Sequence, residues 1–154
     1  MLNSISGDGS RIAFRTAATT ILPGVVTQGV ALRDTVTGTT TLVSSNTAGV
    51  QANGSTERPS ISADGSTVAF EAGATNLYPN DTNGVNDIIV KNLATGTAVP
   101  AAVKVGAATT EGADVLVGNK PDISGTGRYV VFESGGALDA VNDTNGANDV
   151  YVRD

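Results

Sequence analysis

Residues 60–70 read Ser-Ile-Ser-Ala-Asp-Gly-Ser-Thr-Val-Ala-Phe, and this stretch occurs three times along the chain. It appears first over residues 4–14, as Ser-Ile-Ser-Gly-Asp-Gly-Ser-Arg-Ile-Ala-Phe. It appears last over residues 122–132, where Thr-Gly replaces the Asp-Gly pair. The three copies begin 56 and 62 residues apart. A repeat of this length is typical of folds that are built by stacking similar supersecondary units.

Each copy of this stretch has the pattern of a β-hairpin. In the second copy, residues 67–71 carry the β-branched and aromatic side chains that suit a half-buried strand, and residues 59–62 form the shorter strand before them. Asp64 and Gly65 lie between the two segments, and Asp-Gly is a strong signal for a chain reversal. The stretch therefore predicts two short antiparallel strands joined by a tight turn.

A second hairpin follows the first within each repeat. Its opening strand is predicted at three equivalent positions, residues 29–34, 87–92 and 149–154. In the first two repeats a Thr-Gly pair, at residues 37–38 and 95–96, then turns the chain into a further strand. Each repeat is thus predicted to hold four antiparallel strands. No segment has the apolar spacing of a helix.

Four-stranded antiparallel units at a fixed spacing predict the blades of a β-propeller. Two motifs recur in order, Pro-Ser-Ile-Ser-x-Asp-Gly-x-x-Val-Ala-Phe and Asn-Asp-Thr-Asn-Gly-x-Asn-Asp-Ile-x-Val. Together they resemble the TolB-type, WD-like β-propeller repeats of many bacterial secreted and periplasmic proteins. The resemblance covers nearly the whole chain and implies an all-β propeller fold. It implies no single activity, because propellers serve as binding scaffolds and also occur in hydrolases.

We interpret residues 1–154 as a single repeat domain, with blade 1 at about 3–46, blade 2 at about 58–106 and blade 3 at about 120–154. Blade 3 is predicted to lack its last strand. Closed propellers typically have four to eight blades. Three blades therefore predict either a homo-oligomer that completes a ring or the remainder of a longer propeller. Open blade edges favour association because they expose backbone donors and acceptors.

The composition excludes several classes of function. The net charge of −6 and the pI near 4.4 argue against nucleic acid and anionic membrane surfaces as partners, because both attract clustered cations. The chain has no cysteine and no histidine, which removes disulfides, the usual zinc ligands and the usual general base. It also has no run of 18 apolar residues, so no membrane span is predicted.

The cellular location is predicted from composition alone. The first residues, Met1-Leu2-Asn3, have neither the basic nor the apolar segment of a signal peptide. Lysine and arginine together number only 9, and threonine, asparagine and glycine are abundant. This composition favours an extracellular or periplasmic protein over a cytoplasmic one.

Two loops have the donor pattern of a calcium site. Residues 80–87 read Asn-Asp-Thr-Asn-Gly-Val-Asn-Asp, and residues 142–149 read Asn-Asp-Thr-Asn-Gly-Ala-Asn-Asp. Oxygen-bearing side chains alternate around a glycine, so that one tight loop supplies several of the six to eight oxygens that Ca²⁺ requires. The predicted ligands are the side chains of Asp81, Asn83, Asp87, Asp143, Asn145 and Asp149 and the backbone carbonyls of Val85 and Ala147.

The same two loops are also explained as turns without a metal. Asn-Gly is a common hairpin pair, and Asp and Asn side chains accept hydrogen bonds from their own backbone. The loops are shorter than the twelve-residue EF-hand and lack its bidentate glutamate. In the first repeat the corresponding residues 22–29 contain no acidic side chain, so a blade can be built without the motif. Both interpretations stay open at the level of sequence.

These patterns predict a non-catalytic scaffold for binding or assembly, whose protein or glycan ligand the sequence does not define. The alternative is a structural subunit that polymerises through its open blade edges into a filament or surface layer. A propeller hydrolase is the least favoured function. Glycoside hydrolysis requires two carboxylates at a defined separation across a cleft, whereas the acidic residues of this chain repeat symmetrically in turns.

Overall fold

The computed structural model describes residues 3–22, 24–25, 28–79, 81, 84–103, 121–139 and 141–154. Within these residues the chain forms eleven strands and no helix. The strands are β1 (Asn3–Ile5), β2 (Arg11–Thr16), β3 (Gly29–Asp34), β4 (Thr40–Leu42), β5 (Thr56–Ile61), β6 (Thr67–Ala72), β7 (Asp87–Asn92), β8 (Ala98–Pro100), β9 (Asp122–Ile123), β10 (Val130–Ser134) and β11 (Asp149–Arg153). Across the described ranges there is accordingly no helix of the length and apolarity that a membrane span needs.

The strands form three antiparallel sheets, one for each sequence repeat. The first sheet has the order β1-β2-β3-β4 and the second the order β5-β6-β7-β8. The third sheet contains β9, β10 and β11, with β10 in the centre. Strands that follow each other in sequence are therefore neighbours in each sheet. The predicted all-β architecture of four-stranded propeller blades is confirmed for the first two repeats, and the described residues of the third supply three strands.

The register of the three sheets agrees with the alignment of the repeats. In every sheet the phenylalanine of the second strand lies opposite the third residue of the third strand. These pairs are Phe14–Ala31, Phe70–Ile89 and Phe132–Tyr151. Because side chains alternate between the two faces of a strand, equivalent residues face the same way in all three blades.

Most of the core lies between blades, and a smaller cluster of Leu22, Val25 and Ala31 lies within blade 1. One cluster of buried side chains joins blade 1 to blade 2 and contains Ala13, Val30, Leu32, Ile61, Val68, Phe70 and Ile89. A second cluster joins blade 2 to blade 3 and contains Ala69, Ile88, Ile123, Val130 and Phe132. Each blade of the chain therefore depends on its neighbour to remove its apolar side chains from water, as expected for stacked repeats.

The two faces of a blade can be named from blade 2. Its leading face, formed by Ile61, Val68, Phe70 and Ile89, packs against blade 1. Its trailing face, formed by Ala69, Ile88 and the half-buried Val90, packs against blade 3. The repeat-equivalent residues define the leading and trailing faces of blades 1 and 3.

The first hairpin turn of blade 1 is organised by a carboxylate. Oδ1 of Asp8 accepts hydrogen bonds from Ser6 Oγ at 2.7 Å, the Ser10 backbone N–H at 2.9 Å and Ser10 Oγ at 2.8 Å. Gly9 follows with a φ of +73°, a left-handed conformation that glycine adopts without strain. Asp64 repeats this arrangement in blade 2 with the equivalent serines. The Asp-Gly turns predicted from the sequence are thus present in both blades.

The Asp8 turn predicts an acid-dependent loss of stability. The hydrogen bonds from Ser6 and Ser10 lower the pKa of the Asp8 carboxyl from 3.8 to about 2. Because the folded pKa lies below the unfolded one, ionised Asp8 stabilises the fold above about pH 4, and this contribution is lost as the pH falls through about 2. We expect Asp8→Asn to lower the melting temperature at pH 7, and we expect its difference from the unsubstituted protein to shrink steadily as the pH falls from about 4 to about 2. A gap that stays constant from pH 7 to pH 2 in thermal melts would contradict this assignment.

Strand β5 differs from an ideal strand by a β-bulge. Its register with β6 shifts between Glu57 and Ser60, and β5 begins at Thr56, two residues before the predicted start of blade 2. Arg58 lies in the bulge with a φ of +50°, a left-handed conformation that side chains other than glycine rarely adopt. Its Nη1 donates to both carboxylate oxygens of the buried Glu71 at 2.8 Å. The bulge therefore directs Arg58 onto a carboxylate of the neighbouring strand.

A lysine fixes the linker between blades 1 and 2. Lys91 of β7 is buried, and its Nζ donates to the backbone carbonyls of Ser45 at 2.5 Å and Asn46 at 3.3 Å. Burial lowers the pKa of this ammonium group. The contact satisfies two linker carbonyls and brings the last residues of blade 1 against the third strand of blade 2.

Candidate calcium-binding loops

The two Asp-Thr-Asn-Gly loops occupy equivalent places in blades 2 and 3. The blade 2 loop, residues 80–87, follows β6 and ends at the first residue of β7, and the blade 3 loop, residues 142–149, ends at the first residue of β11. Gly84 and Gly146 both have a φ of +68°. The chain therefore turns in the same way at the glycine of each loop.

The blade 3 loop brings three predicted ligand side chains together. Asp143, Asn145 and Asp149 line one cavity of about 280 Å³. Nδ2 of Asn145 donates to both carboxylate oxygens of Asp149, at 3.3 and 3.1 Å, and its Oδ1 accepts from the backbone N–H of Ala147 at 2.7 Å. This last bond fixes the backbone of Ala147, whose carbonyl is the predicted ligand.

Tyr151 forms one wall of this cavity. Its hydroxyl donates to Oδ2 of Asp143 and accepts from the backbone N–H of Leu138 at 3.4 Å. The bond to the Asp143 carboxylate is the main reason that the pKa of Tyr151 is raised. The hydrogen bond from Tyr151 therefore holds the Asp143 carboxylate at this cavity.

Asp139 lines the same cavity from the turn that precedes the loop. Its carboxylate accepts from Asn142 Nδ2 at 2.7 Å and from the backbone N–H groups of Asn142 at 3.2 Å and Val141 at 3.3 Å. The hydrogen bond from the Asn142 side chain is the largest cause of the lowered pKa of Asp139. These are the contacts of a carboxylate that stabilises a turn, so the turn interpretation accounts fully for Asp139.

Among the described residues of the blade 2 loop, the predicted ligands are buried or half-buried. Asp87 is fully buried, and its Oδ2 accepts a hydrogen bond from the Tyr78 hydroxyl at 2.6 Å. Both carboxylate oxygens of Asp81 are shielded from solvent, and Val85 is half-buried. Asn83, the remaining predicted ligand, lies outside the described residues. The carboxylates of Asp81 and Asp87 therefore have little access to solvent, where electrostatic contacts are stronger than in water.

The kinds of donor atom in the loops decide which metal they suit. In the part of the chain that the structure describes, no group of three or more carboxylate, imidazole or thiol side chains is arranged to hold a metal. Each loop instead offers two carboxylates together with amide and backbone oxygens. An all-oxygen set of this type suits Ca²⁺ and does not suit Zn²⁺, which prefers nitrogen and sulfur.

Sequence reasoning missed the two tyrosines that contact these loops. Tyr78 and Tyr151 occupy different repeat positions, so alignment of the repeats separates them. In the structure Tyr78 donates to Asp87, and Tyr151 donates to Asp143, at the opposite end of the motif. The signal that could have found them is a tyrosine within nine residues of a loop aspartate in each blade.

Comparison with known proteins identifies the fold. No family model matches the chain, and no curated protein matches it. TolB from Acinetobacter baumannii is similar in structure, with a TM-score of 0.57 and 19% identity over 99% of this chain and 29% of that chain. A putative TolB from Agrobacterium tumefaciens has a TM-score of 0.57 and 16% identity over 97% of this chain and 40% of that chain.

A protease domain shares the same architecture. The β-propeller domain of the Trilobed protease from Pyrococcus furiosus, an open-velcro propeller, has a TM-score of 0.51 and 12% identity over 87% of this chain and 34% of that chain. The chain spans between 29% and 40% of the length of these three structures. It therefore has the fold of a TolB-type β-propeller, as its repeats predict. Because TolB and a protease domain have this fold in common, the fold alone does not define the function of this chain.

Proposed function

We propose that the protein is a non-catalytic β-propeller scaffold whose blades 2 and 3 are stabilised by Ca²⁺ bound in the Asp-Thr-Asn-Gly loops. The observation that carries the proposal is the convergence of Asp143, Asn145 and Asp149 on one cavity. The low lysine and arginine content and the abundance of threonine, asparagine and glycine support an extracellular or periplasmic location, where free Ca²⁺ is available to weak sites.

The protonation behaviour of the aspartates supports a non-catalytic role. Four aspartates, Asp8, Asp34, Asp64 and Asp139, have a lowered pKa because they accept hydrogen bonds in turns. The pKa of a fifth, Asp154, is lowered by its hydrogen bonds from the Arg128 side chain. A carboxyl group that acts as a general acid needs the opposite, a raised pKa. None of these five side chains therefore has the raised pKa of a general acid.

Calcium in the loops would connect each loop to its own blade. Asp87 and Asp149 are the first residues of β7 and β11, whereas Asp81 and Asp143 lie six residues earlier in the connection from the preceding strand. A cation shared by both ends would close the loop and neutralise its two carboxylates. Binding to the folded state alone stabilises that state by mass action.

Chelation is expected to lower the melting temperature of the protein. At free Ca²⁺ 100-fold above its dissociation constant, one site adds about 2.7 kcal/mol to the free energy of unfolding. For a domain of this size each kcal/mol corresponds to about 2–4 °C. We therefore expect excess EDTA to lower the melting temperature by several degrees and excess Ca²⁺ to restore it, as measured by circular dichroism.

A matched pair of variants separates calcium binding from turn formation. Asp143→Asn is expected to reduce the Ca²⁺-dependent increment, because it keeps the shape of the side chain and removes the charge. Asp8→Asn makes the same change in a turn outside the loops and is expected to leave the increment intact. An unsubstituted protein that melts at one temperature in EDTA and in Ca²⁺ would refute the calcium proposal and favour the turn interpretation.

A second candidate function is a structural subunit that polymerises through its blades into a filament or surface layer. The observation that favours it is the exposure of apolar side chains on β11, where Val150 and Val152 are each 67% exposed. Exposed apolar faces of this kind mark interaction surfaces. The mass of the assembly distinguishes the candidates, because a closed scaffold has a discrete mass and a polymer grows with concentration.

A further inference from the structure

A cavity of about 430 Å³ lies at the seam where the trailing face of blade 1 meets the leading face of blade 2. Its blade 1 wall includes Arg11, Leu32 and Asp34, which lie on the same side of their sheet. Its blade 2 wall includes Lys91 and Leu93. This seam cavity lies in the size range of small-molecule sites, about 300–1,000 Å³.

Lys91 brings a buried cation to the seam cavity. The residue is only 5% exposed, and its Nζ donates to the backbone carbonyls of Ser45 and Asn46. No carboxylate of the described residues forms a salt bridge with it. An ammonium group has three N–H donors, and the two carbonyls accept two of them. Because burial of a charge without a counter-charge is costly, an anion in the cavity would be a favourable partner for Lys91.

Arg11 brings a second cation from the opposite wall. Its Nη1 donates to the backbone carbonyl of Gly65 across the seam at 2.7 Å, which holds the guanidinium beside the cavity. Arginine carries five N–H donors, and this bond uses only one of its three nitrogens. The charged side chains that line the cavity are therefore two cations and the carboxylate of Asp34, in a chain whose net charge is −6.

The next seam, between blades 2 and 3, lacks the charges of the blade 1 wall. Thr67 holds the position of Arg11 in blade 2, and Asn92 holds the position of Asp34. Both seams nevertheless pack apolar side chains between their blades. The stacking of blades therefore does not account for the charges of Arg11 and Asp34.

The turn that contains Asp34 does not require its charge either. Oδ1 of Asp34 accepts from the backbone N–H groups of Val36 at 3.0 Å and Thr37 at 2.8 Å. Asn92 makes the same two bonds in blade 2 with a neutral amide oxygen. The bonds in the Asp34 turn, above all the one from the Thr37 backbone, lower the pKa of the Asp34 carboxyl. Asp34 is therefore ionised at neutral pH, and a carboxylate can accept further hydrogen bonds from ligand hydroxyls.

The remaining lining combines hydroxyl groups with apolar side chains. Thr39, Thr41 and Thr47 line the cavity and are exposed. Leu32 and Val43 line it as well and are buried. Threonine hydroxyls both donate and accept hydrogen bonds. An apolar floor with a hydroxyl rim suits a sugar ring, which has C–H groups on its faces and hydroxyls at its edge.

We propose that the seam cavity binds a sugar acid, whose carboxylate contacts Lys91 and Arg11 and whose hydroxyls contact Asp34 and the threonines. A simple aliphatic carboxylate fits less well, because it has no hydroxyl to donate to Asp34 and is repelled by its charge. The inference adds a ligand to the proposed scaffold. It does not depend on Ca²⁺, because the seam cavity and the Asp-Thr-Asn-Gly loops share no residue.

An NMR titration of the isotope-labelled full chain with D-glucuronate tests the proposal. We expect saturable shifts of backbone amide signals at the cavity, including those of Thr41 and Leu93. D-Glucose carries a hydroxymethyl group in place of the carboxylate, and hexanoate carries a carboxylate without hydroxyls. Each is expected to bind at least tenfold more weakly than glucuronate, because hydrogen bonds that involve a charged group contribute about 1.5–3 kcal/mol.

Two cations at one repeat position supply a matched pair of variants. Lys91→Gln removes the charge and keeps an N–H donor for the linker carbonyls, and it is expected to raise the dissociation constant of glucuronate at least tenfold. Arg33→Gln removes a charge at the equivalent position of blade 1, which is exposed and outside the cavity, and is expected to leave the constant unchanged. Arg11→Gln is expected to weaken binding in the same direction as Lys91→Gln, and it does not depend on whether Lys91→Gln folds.

Several results would overturn the sugar-acid site. They are the absence of saturable shifts with glucuronate, equal dissociation constants for glucuronate and either glucose or hexanoate, and equal losses in Lys91→Gln and Arg33→Gln. If Lys91 serves only to fix the linker, Lys91→Gln lowers the melting temperature while glucuronate produces no shifts. Melting in Ca²⁺ and in EDTA, measured on the same sample, tests the calcium proposal separately, so either proposal can fail while the other holds.

Discussion

Truncation of Phe70 to alanine is expected to lower the free energy of unfolding by about 3–5 kcal/mol. Phe70 is fully buried in β6 and belongs to the cluster that joins blade 1 to blade 2. Its removal would leave a cavity at the seam, and the flanking sheets are tied by their backbone hydrogen bonds and cannot close it fully. Urea denaturation with a common slope for both proteins would measure the loss.

The equivalent substitution in blade 1 is the matched control for Phe70. Phe14 has the same chemistry and the same register, opposite the third residue of its third strand, but no blade covers it and it is only half-buried. We expect Phe14→Ala to cost about 1–2 kcal/mol in the monomer, in proportion to the smaller area removed from water. Equal losses for the two variants would show that the seam between blades is not the main source of stability.

The repeated hairpins made the fold predictable from sequence. The Asp-Gly and Thr-Gly turns fix where the chain reverses, and the strands between them are too short to pair in many registers. Strands at the same repeat position therefore lie at the same place in all three sheets. For example, Phe70 lies opposite Ile89 in blade 2, and Phe132 lies opposite Tyr151 in blade 3. Local signals and tertiary packing agree in this chain, which is the condition for reading a fold from its pattern.

Exposure could not be predicted in the same way. Ile88 and Val150 hold equivalent positions with similar side chains, yet one is 1% and the other 67% exposed. The difference comes from the neighbouring blade and not from either residue. A sequence pattern defines which residues are apolar, but only the arrangement of blades shows which of them lack a covering surface.

The candidate site was predictable in its composition and only partly in its geometry. The alternation of oxygen-bearing residues around Gly146 predicted these three residues as ligands of one ion, and the structure places Asp143, Asn145 and Asp149 around one cavity. The tyrosine at this cavity, Tyr151, comes from the following strand. Its contact depends on how that strand is placed, which the spacing of the loop does not encode.

The repeat pattern also did not predict the bulge at Arg58. Substitution of Arg58 is expected to have a large effect on the free energy of unfolding. Replacement of Arg58 by methionine is expected to lower the free energy of unfolding by about 3 kcal/mol. Values of about 3–5 kcal/mol are typical when one partner of a buried ion pair is removed. The lower end applies because 30% of the Arg58 side chain is exposed, compared with 5% for Glu71.

The cost of Arg58→Met arises from the carboxylate that remains, so a second substitution should reverse most of it. Arg58→Met combined with Glu71→Met replaces the pair by apolar side chains, and we expect the double variant to be more stable than Arg58→Met alone. Arg58→Lys keeps the positive charge beside Glu71 and is therefore expected to lose less than Arg58→Met. A double-mutant cycle in urea measures the coupling. If the two single losses simply add, the ion pair does not stabilise the bulge, and the left-handed backbone at Arg58 needs another cause.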